Sequence, residues 1–202
     1  MTHATTPGPG RSPSLRERNR ARTYADIAGA ALELFDGNGF DSTTVEQIAT
    51  AAGVSQATFF RYFGTKEDVL FSDEAGSTAT LIELVGNRSD PSPTVAALAE
   101  PLLAYAESMT GPGSPHSRRM TRLVMTTPSL EARSLRLRLR WEREVAHRLA
   151  DEAGVVIPTL AHTMVGAVAV SCLTSALRHW SRDDSAEALL KLVREAFAVA
   201  AD

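Results

Sequence analysis

Ser55, Gln56, Ala57 and Thr58 are small or polar side chains set directly ahead of Phe59, Phe60, Arg61, Tyr62 and Phe63. The first group suits the edge of a base pair. A glutamine bonds adenine through both amide atoms, and a threonine offers a methyl to thymine or a hydroxyl to a base or phosphate. Small neighbours let the helix that carries them approach a groove closely. Arg61, with a ring on either side, suits a phosphate and sugar backbone. Four of the chain's twelve aromatic residues fall within these five positions, so the cluster is not the even spacing of an ordinary core.

Other chemistries find little support. His3, His116, His147, His162 and His179 show no metal-ligand spacing, and there is no glycine-rich phosphate loop or nucleophile elbow. Cys172 sits in a run of small apolar residues and suits an inert core. No cofactor and no metal are called for. The rival classes are a DNA-binding regulator that responds to a ligand, a helical small-molecule binder without DNA, and an enzyme with an unmarked site. The regulator can repress or activate.

Helices must position the cluster. Ile27, Ala30, Ala31 and Leu34 lie at i, i+3, i+4 and i+7 and predict a first helix ended by "DGNGF". Thr43 and Glu46 read as a capping box for a second, short helix that ends at Gly53. Ser55 then caps "SQATFFRYF", and Thr65 with Asp68 caps the helix that follows. Two short helices joined by "AGVS" are the helix-turn-helix signal. In that frame Phe59 and Phe63 lie one turn apart and anchor the module, while the first turn faces the groove. The start of the second helix, at Thr43 and Thr44, favours a phosphate, and Lys66 can take another. The chain carries net charge −3, yet residues 11–22 hold Arg11, Arg16, Arg18, Arg20 and Arg22 against Glu17 alone. That basic run supplies the local attraction that DNA requires.

Beyond Lys66 every pattern is helical, with candidates at 66–87, 92–110, 115–127, 128–153, 157–182 and 184–200. "RSLRLRLR" alternates with period two, but its flanks favour a helix. We expect an all-α fold: residues 1–14 disordered, a three-helix DNA-binding domain at 15–65, and a larger helical domain for ligand and dimerisation at 66–202. The N-terminus lacks a secretory pattern and the longest apolar stretch, Met164–Leu173, is about half a membrane span. A cytoplasmic protein without membrane contact is expected. Met109, Met120, Met125, Trp141 and Met164 suit an adaptable ligand pocket, and equally a plain core. The arginines between 118 and 143 suit an anionic ligand, or a solvated face paired with Glu131, Glu142 and Glu144. Small residues on the helix from Ile157, with the stripe Leu189, Leu190, Val193, Ala196 and Phe197, suit half of a four-helix dimer interface or packing within one subunit. Gly166, Ala167, Ser175, Leu189, Val193 and Phe197 are the candidate dimer residues.

The order of "IAGAALELF", "GFDSTTVEQIATAAGVSQATFFRYF" and "TKEDVL" over residues 24–70 resembles the DNA-binding domain of the TetR family of bacterial regulators. The resemblance implies DNA contacts at Thr44, Ser55, Gln56, Ala57, Thr58, Phe60, Arg61, Tyr62 and Lys66, with Thr43 and Arg22 as further candidates. It implies double-stranded operator DNA and a small-molecule effector as partners, and a homodimer through the last two helices. The commonest family pattern has Tyr, Tyr and His where this chain has Phe60, Arg61 and Tyr62. Phe60 lacks a hydroxyl that often meets phosphate, and Arg61 or Tyr62 can replace it. "TFFRYF…KEDV" and "RLVMTTPSLEARSLRLRLRWEREVAHRLA" are similar to the mycofactocin-system subgroup, whose implied ligands are acyl-CoA-like.

Overall fold

Our computed structural model describes residues 14–110, 117–182 and 187–201, and among them there is no strand. The segment expected to be disordered therefore lies outside the described residues, with Arg11, except for Ser14. Ser14 caps α1 (Leu15–Asn38): it accepts a bond from the Glu17 amide, and the Glu17 carboxylate accepts one from the Ser14 amide. Then follow α2 (Val45–Ala51), α3 (Gln56–Tyr62), α4 (Glu67–Phe71) and α5 (Glu74–Gly86). A 3₁₀ turn at Ala96–Leu98 leads into α6 (Ala99–Thr110). After it come α7 (Ser117–Thr126), α8 (Glu131–Glu152), α9 (Leu160–Trp180) and α10 (Glu187–Ala201).

Two apolar cores organise these helices. The first gathers Ile27, Leu32 and Phe35 of α1, Ile48 of α2, Phe59 and Phe63, and Val69–Phe71 of α4. Leu123 and Leu130, from beyond α6, also enter it, so the N-terminal helices are seated on the rest of the chain. The second core takes Leu81 and Val85 of α5, Leu102 and Tyr105 of α6, Trp141 and Val145 of α8, Leu173 of α9 and Phe197 of α10. The alternating "RSLRLRLR" lies inside α8. There the leucines do not share one face: Leu137 is partly buried, while Leu135 and Leu139 are about half exposed.

The helix expected over 66–87 is divided. Asp73 leaves the helical basin (φ −111°, ψ 28°) and separates α4 from α5. Beside the break, the Tyr24 hydroxyl of α1 donates to the Ser72 hydroxyl. α9 is long and apolar enough to cross a membrane by length and composition, more than the sequence suggested, but half of that window is buried within the fold. It packs on both α8 and α10. Its start is fixed by Thr159 and His162, which bond each other's backbone amides at 3.4 Å and 3.3 Å, so His162 serves as a helix cap.

Four of the candidate dimer residues serve the subunit's own packing. A Cβ at Gly166 would stand 2.8 Å from the Glu142 carbonyl oxygen and 3.3 Å from the Ala146 nitrogen, so this glycine lets α8 and α9 of one chain approach. Leu189, Val193 and Phe197 are buried in the second core, where, with Leu190, Leu192 and Ala196 packed beside them, they hold α10 against α9 and α6. Ala167 is half-buried beside α8, and Ser175 is exposed. Exposed apolar side chains on α9 and α10 include Leu160, Met164 and Val199, with Val156 and Ile157 exposed just before α9.

Candidate nucleic-acid interface and effector pocket

The turn between α2 and α3 is built by local chemistry. Val54 N–H bonds the Ala49 carbonyl at 2.9 Å and Gly53 N–H bonds that of Thr50 at 3.1 Å. This is a Schellman ending, and Gly53 meets its demand for positive φ at +67°. Ser55 then caps α3 by accepting from the Thr58 amide at 3.1 Å, and its hydroxyl donates to Thr58 Oγ1 at 3.0 Å.

α3 has seven residues, too few to stand alone. Phe59 and Phe63 hold it, both almost wholly buried, at roughly 1.5–3 kcal/mol each. Their rings lie 5.6 Å apart, and Phe63 packs 4.9 Å from Tyr24 of α1. Gln56, Ala57, Phe60 and Arg61 are consequently exposed, and Thr58 and Tyr62 half-buried. Phe60 stands edge-on to Phe59, and the Arg61 guanidinium lies 5.5 Å from the Tyr62 ring centre. Arg16, Arg18, Arg20 and Arg22 line the exposed start of α1, where Arg22 has only a loose pairing with Asp26 at 3.9 Å.

Two candidate contacts need correction. The cap of α2 is Thr44 with Gln47, which bond each other's amides at 3.2 Å and 2.9 Å. Thr43, one residue earlier, is buried. Its hydroxyl donates to the Gly39 carbonyl at 2.8 Å and also lies 3.3 Å from that of Leu34, so it faces inward. Lys66 does too. Its ammonium donates to the carbonyls of Phe40, Thr43 and Asp41 at 2.7, 3.0 and 3.3 Å and stands 4.5 Å from the Phe40 ring centre. All three of its protons are engaged in holding the loop between α1 and α2. The reciprocal pair Thr65 and Asp68 is present as expected.

A cavity of about 350 Å³ opens among α4 to α9. Met109, Met120, Met125 and Trp141 line it as expected, with Phe71, Val124 and Leu177. Met164 does not; it is more than half exposed on α9. The Trp141 indole donates to Thr78 Oγ1 at 3.2 Å, and Tyr105, whose hydroxyl pairs with Ser77 at 2.7 Å, packs edge-on to it. Burial raises the Tyr105 pKa against the opposing Ser77 hydrogen bond, with a smaller push from the charge of Asp73.

The cavity wall includes the break between α4 and α5, and a cluster invisible in the sequence spans that break. Arg133 at the start of α8 donates to Asp68 of α4 at 2.6 Å and to Glu74 of α5 at 2.8 Å, with its guanidinium 4.6 Å from the Phe71 ring centre. Burial opposes the charge on Asp68, but the bonds from Arg133 and Thr65 outweigh it and hold the carboxyl below its ordinary pKa. Two further ties seat the N-terminal helices: Arg119 on Asp36 at 2.5 Å and Ser129 on Asp41 at 2.7 Å. Of the arginines between 118 and 143, Arg138 alone lines the cavity, and it is engaged by Glu142 at 2.8 Å and Ser171 at 2.9 Å. Arg178, outside that run, also lines it. Among the described residues no cluster of three or more His, Cys, Asp or Glu could hold a metal ion.

A helix-turn-helix behind a helix whose first turns are rich in arginine, seated on a larger helical body with a cavity, is the architecture of a DNA-binding regulator. Residues 27–72 match the family of bacterial regulatory proteins, tetR family, and residues 92–202 match the MftR C-terminal domain. The chain is 32% identical over 173 residues to the Mycobacterium tuberculosis protein named as the mycofactocin biosynthesis transcriptional regulator MftR, covering 83% of this chain and 84% of that one. It therefore belongs to the TetR family. Among solved structures it resembles the transcriptional regulator FadR of Bacillus subtilis in complex with stearoyl-CoA (TM-score 0.59, 19% identity, 87% and 96% of the two chains). It also resembles the TetR-family repressor FadR of Thermus thermophilus in complex with lauroyl-CoA (TM-score 0.50, 25% identity, 86% and 92%).

Proposed function

We propose that the chain is a repressor that binds a palindromic operator as a homodimer and is released by an acyl-CoA-like effector. Residues 15–65 form the reading head and 66–202 the part for ligand and dimerisation. The observation that carries the reading is the division of labour on α3: Phe59 and Phe63 are buried while Gln56, Ala57, Phe60 and Arg61 are presented together. Gln56 and Ala57 face base edges, with Ser55 and Thr58 at the helix start. Phe60, Arg61, Tyr62, Thr44 and the arginines of α1, Arg22 among them, meet the backbone.

The effector enters the cavity of Met109, Met120, Met125 and Trp141. Ligand can alter DNA affinity only by favouring one arrangement of the heads, and the α4–α5 break clamped by Arg133 is the element both sites touch. The homodimer is assigned to the outer faces of α9 and α10, where Leu160, Met164 and Val199 are exposed. The acyl-CoA assignment draws on the apolar cavity wall and on the FadR complexes with stearoyl-CoA and lauroyl-CoA. An uncharged hydrophobic effector is the second reading, favoured by the largely apolar wall and by Arg138 being held by Glu142 and Ser171 within the protein.

The test is a gel shift with the DNA upstream of the chain's own gene, titrated with lauroyl-CoA and with a neutral hydrophobic compound. Specific retardation relieved by lauroyl-CoA supports the proposal. Binding no tighter than to random DNA removes the operator reading, and release by the neutral compound alone removes the acyl-CoA.

A further inference from the structure

Where α7 and α9 meet the cavity, two polar side chains on its wall, the buried Thr121 and the exposed Arg178, have no side-chain partner among the described residues. Thr121 is only 7% exposed, and its hydroxyl makes no hydrogen bond among the described residues. Other threonines of the same two helices bond backwards along their own helix. Thr126 Oγ1 reaches the Arg122 carbonyl at 2.7 Å and Thr174 Oγ1 that of Val170 at 2.9 Å. Thr121 Oγ1 is not among the enclosed polar atoms that lack a partner, so the hydroxyl opens into the cavity as a donor that a ligand oxygen can meet.

Arg178 lies in the last turn of α9, where the helix dipole favours a cation. It lines the same cavity, and its guanidinium has no acid or carbonyl partner among the described residues. The other arginine on the wall, Arg138, is taken by Glu142 and Ser171. The α4–α5 break contributes Asp73 and Glu74 to the wall. Glu74 is held by Arg133, but among the described residues the Asp73 carboxylate makes no hydrogen bond or ion pair. An anion in the cavity is thus repelled from the break and drawn to Arg178. Met120, Val124, Met125 and Leu177 supply apolar surface beside both groups.

We propose that Thr121 and Arg178 form the polar subsite for the acyl head of a linear amphiphile, a carboxylate or the thioester that replaces it, with the chain lying on the methionines and Trp141. This rests on the effector pocket proposed above. The cavity of about 350 Å³ has room for roughly a dozen water-sized units, the scale of a dodecyl chain.

The experiment measures binding of dodecanoate, dodecanoyl-CoA and dodecanol to the full chain by calorimetry, for the unsubstituted protein and for Arg178→Gln, Thr121→Val and Thr121→Ser. Arg178→Gln should weaken the acyl ligand about tenfold or more and leave dodecanol within about twofold. Thr121→Val should weaken it roughly three- to tenfold, and Thr121→Ser, which keeps the hydroxyl, should restore it. A loss on dodecanoate assigns the subsite to the free acid; a loss confined to dodecanoyl-CoA assigns it to the thioester. Unchanged acyl binding in both Arg178→Gln and Thr121→Val overturns the subsite while the pocket stands. Equal losses for dodecanol also overturn it, since they report damage to the cavity. If the unsubstituted protein binds neither acyl ligand, the subsite falls together with the acyl effector.

Discussion

Arg133 Nη1 stands 2.6 Å from Asp68 Oδ1, joining the start of α8 to α4 across 65 residues of chain. The same guanidinium holds Glu74 beyond the helix break. A single side chain therefore ties α4, which shares a core with α3, to α5 across the break that walls the cavity.

The carboxyl of Asp68 is held below its ordinary pKa, against burial, by Arg133 and Thr65. The sign follows from linkage: a depressed acid stabilises the fold above its unfolded pKa and loses that contribution as pH falls through the folded value. Asp68→Asn should therefore lower the melting temperature at neutral pH and flatten the loss of stability on acidification. Both groups are about a quarter to a third exposed, so the effect is modest, about 1 kcal/mol. Arg133→Gln should also weaken effector-induced release from operator DNA more than it weakens effector binding. Thermal melts across acid pH and release titrations check both expectations.

Lys66→Ala should act on stability before it acts on DNA. It leaves the carbonyls of Phe40, Asp41 and Thr43 without their shared donor, at a cost of about 1–3 kcal/mol. Operator affinity measured against salt should keep its slope. A slope flatter by about one, the mark of a lost phosphate contact, would place the ammonium on DNA instead.

The exposed residues of α3 should divide by role. Gln56→Ala is expected to relax preference at one base position by roughly 1–3 kcal/mol. Arg61→Ala should weaken operator and random DNA alike and flatten the salt slope by about one. Binding to a panel of operator variants separates the two, and equal losses on all sequences for Gln56→Ala count against base readout.

Substitutions on α9 should divide by face. Gly166→Trp drives a ring into the Glu142 and Ala146 backbone, so it should unfold the subunit or lower its melting point by many degrees rather than merely separate protomers. Met164→Glu, on the exposed side, should leave the melting point of the isolated subunit nearly unchanged and shift sedimentation from dimer to monomer. A dimer that survives Met164→Glu moves the interface elsewhere.

The sequence by itself determined what is decided by neighbours a turn away. The helix-turn-helix was legible because its Gly53 turn, its Ser55 cap and the Phe59 and Phe63 spacing are local features. The Thr65–Asp68 pair and the helicity of "RSLRLRLR" were legible for the same reason. Even there the cap moved from Thr43 to Thr44, since one hydroxyl could satisfy distant carbonyls and the other could not. Tertiary structure decided which way each side chain faces. Lys66 turned to carbonyls 23 to 26 residues away. Leu189, Val193 and Phe197 entered their own core, because an apolar stripe carries no mark of whether its partner is the same chain or another. The Arg133 clamp, and the cavity shared by Thr121, Trp141 and Arg178, depend on helices brought together by two cores, and no spacing along the chain encodes such a meeting.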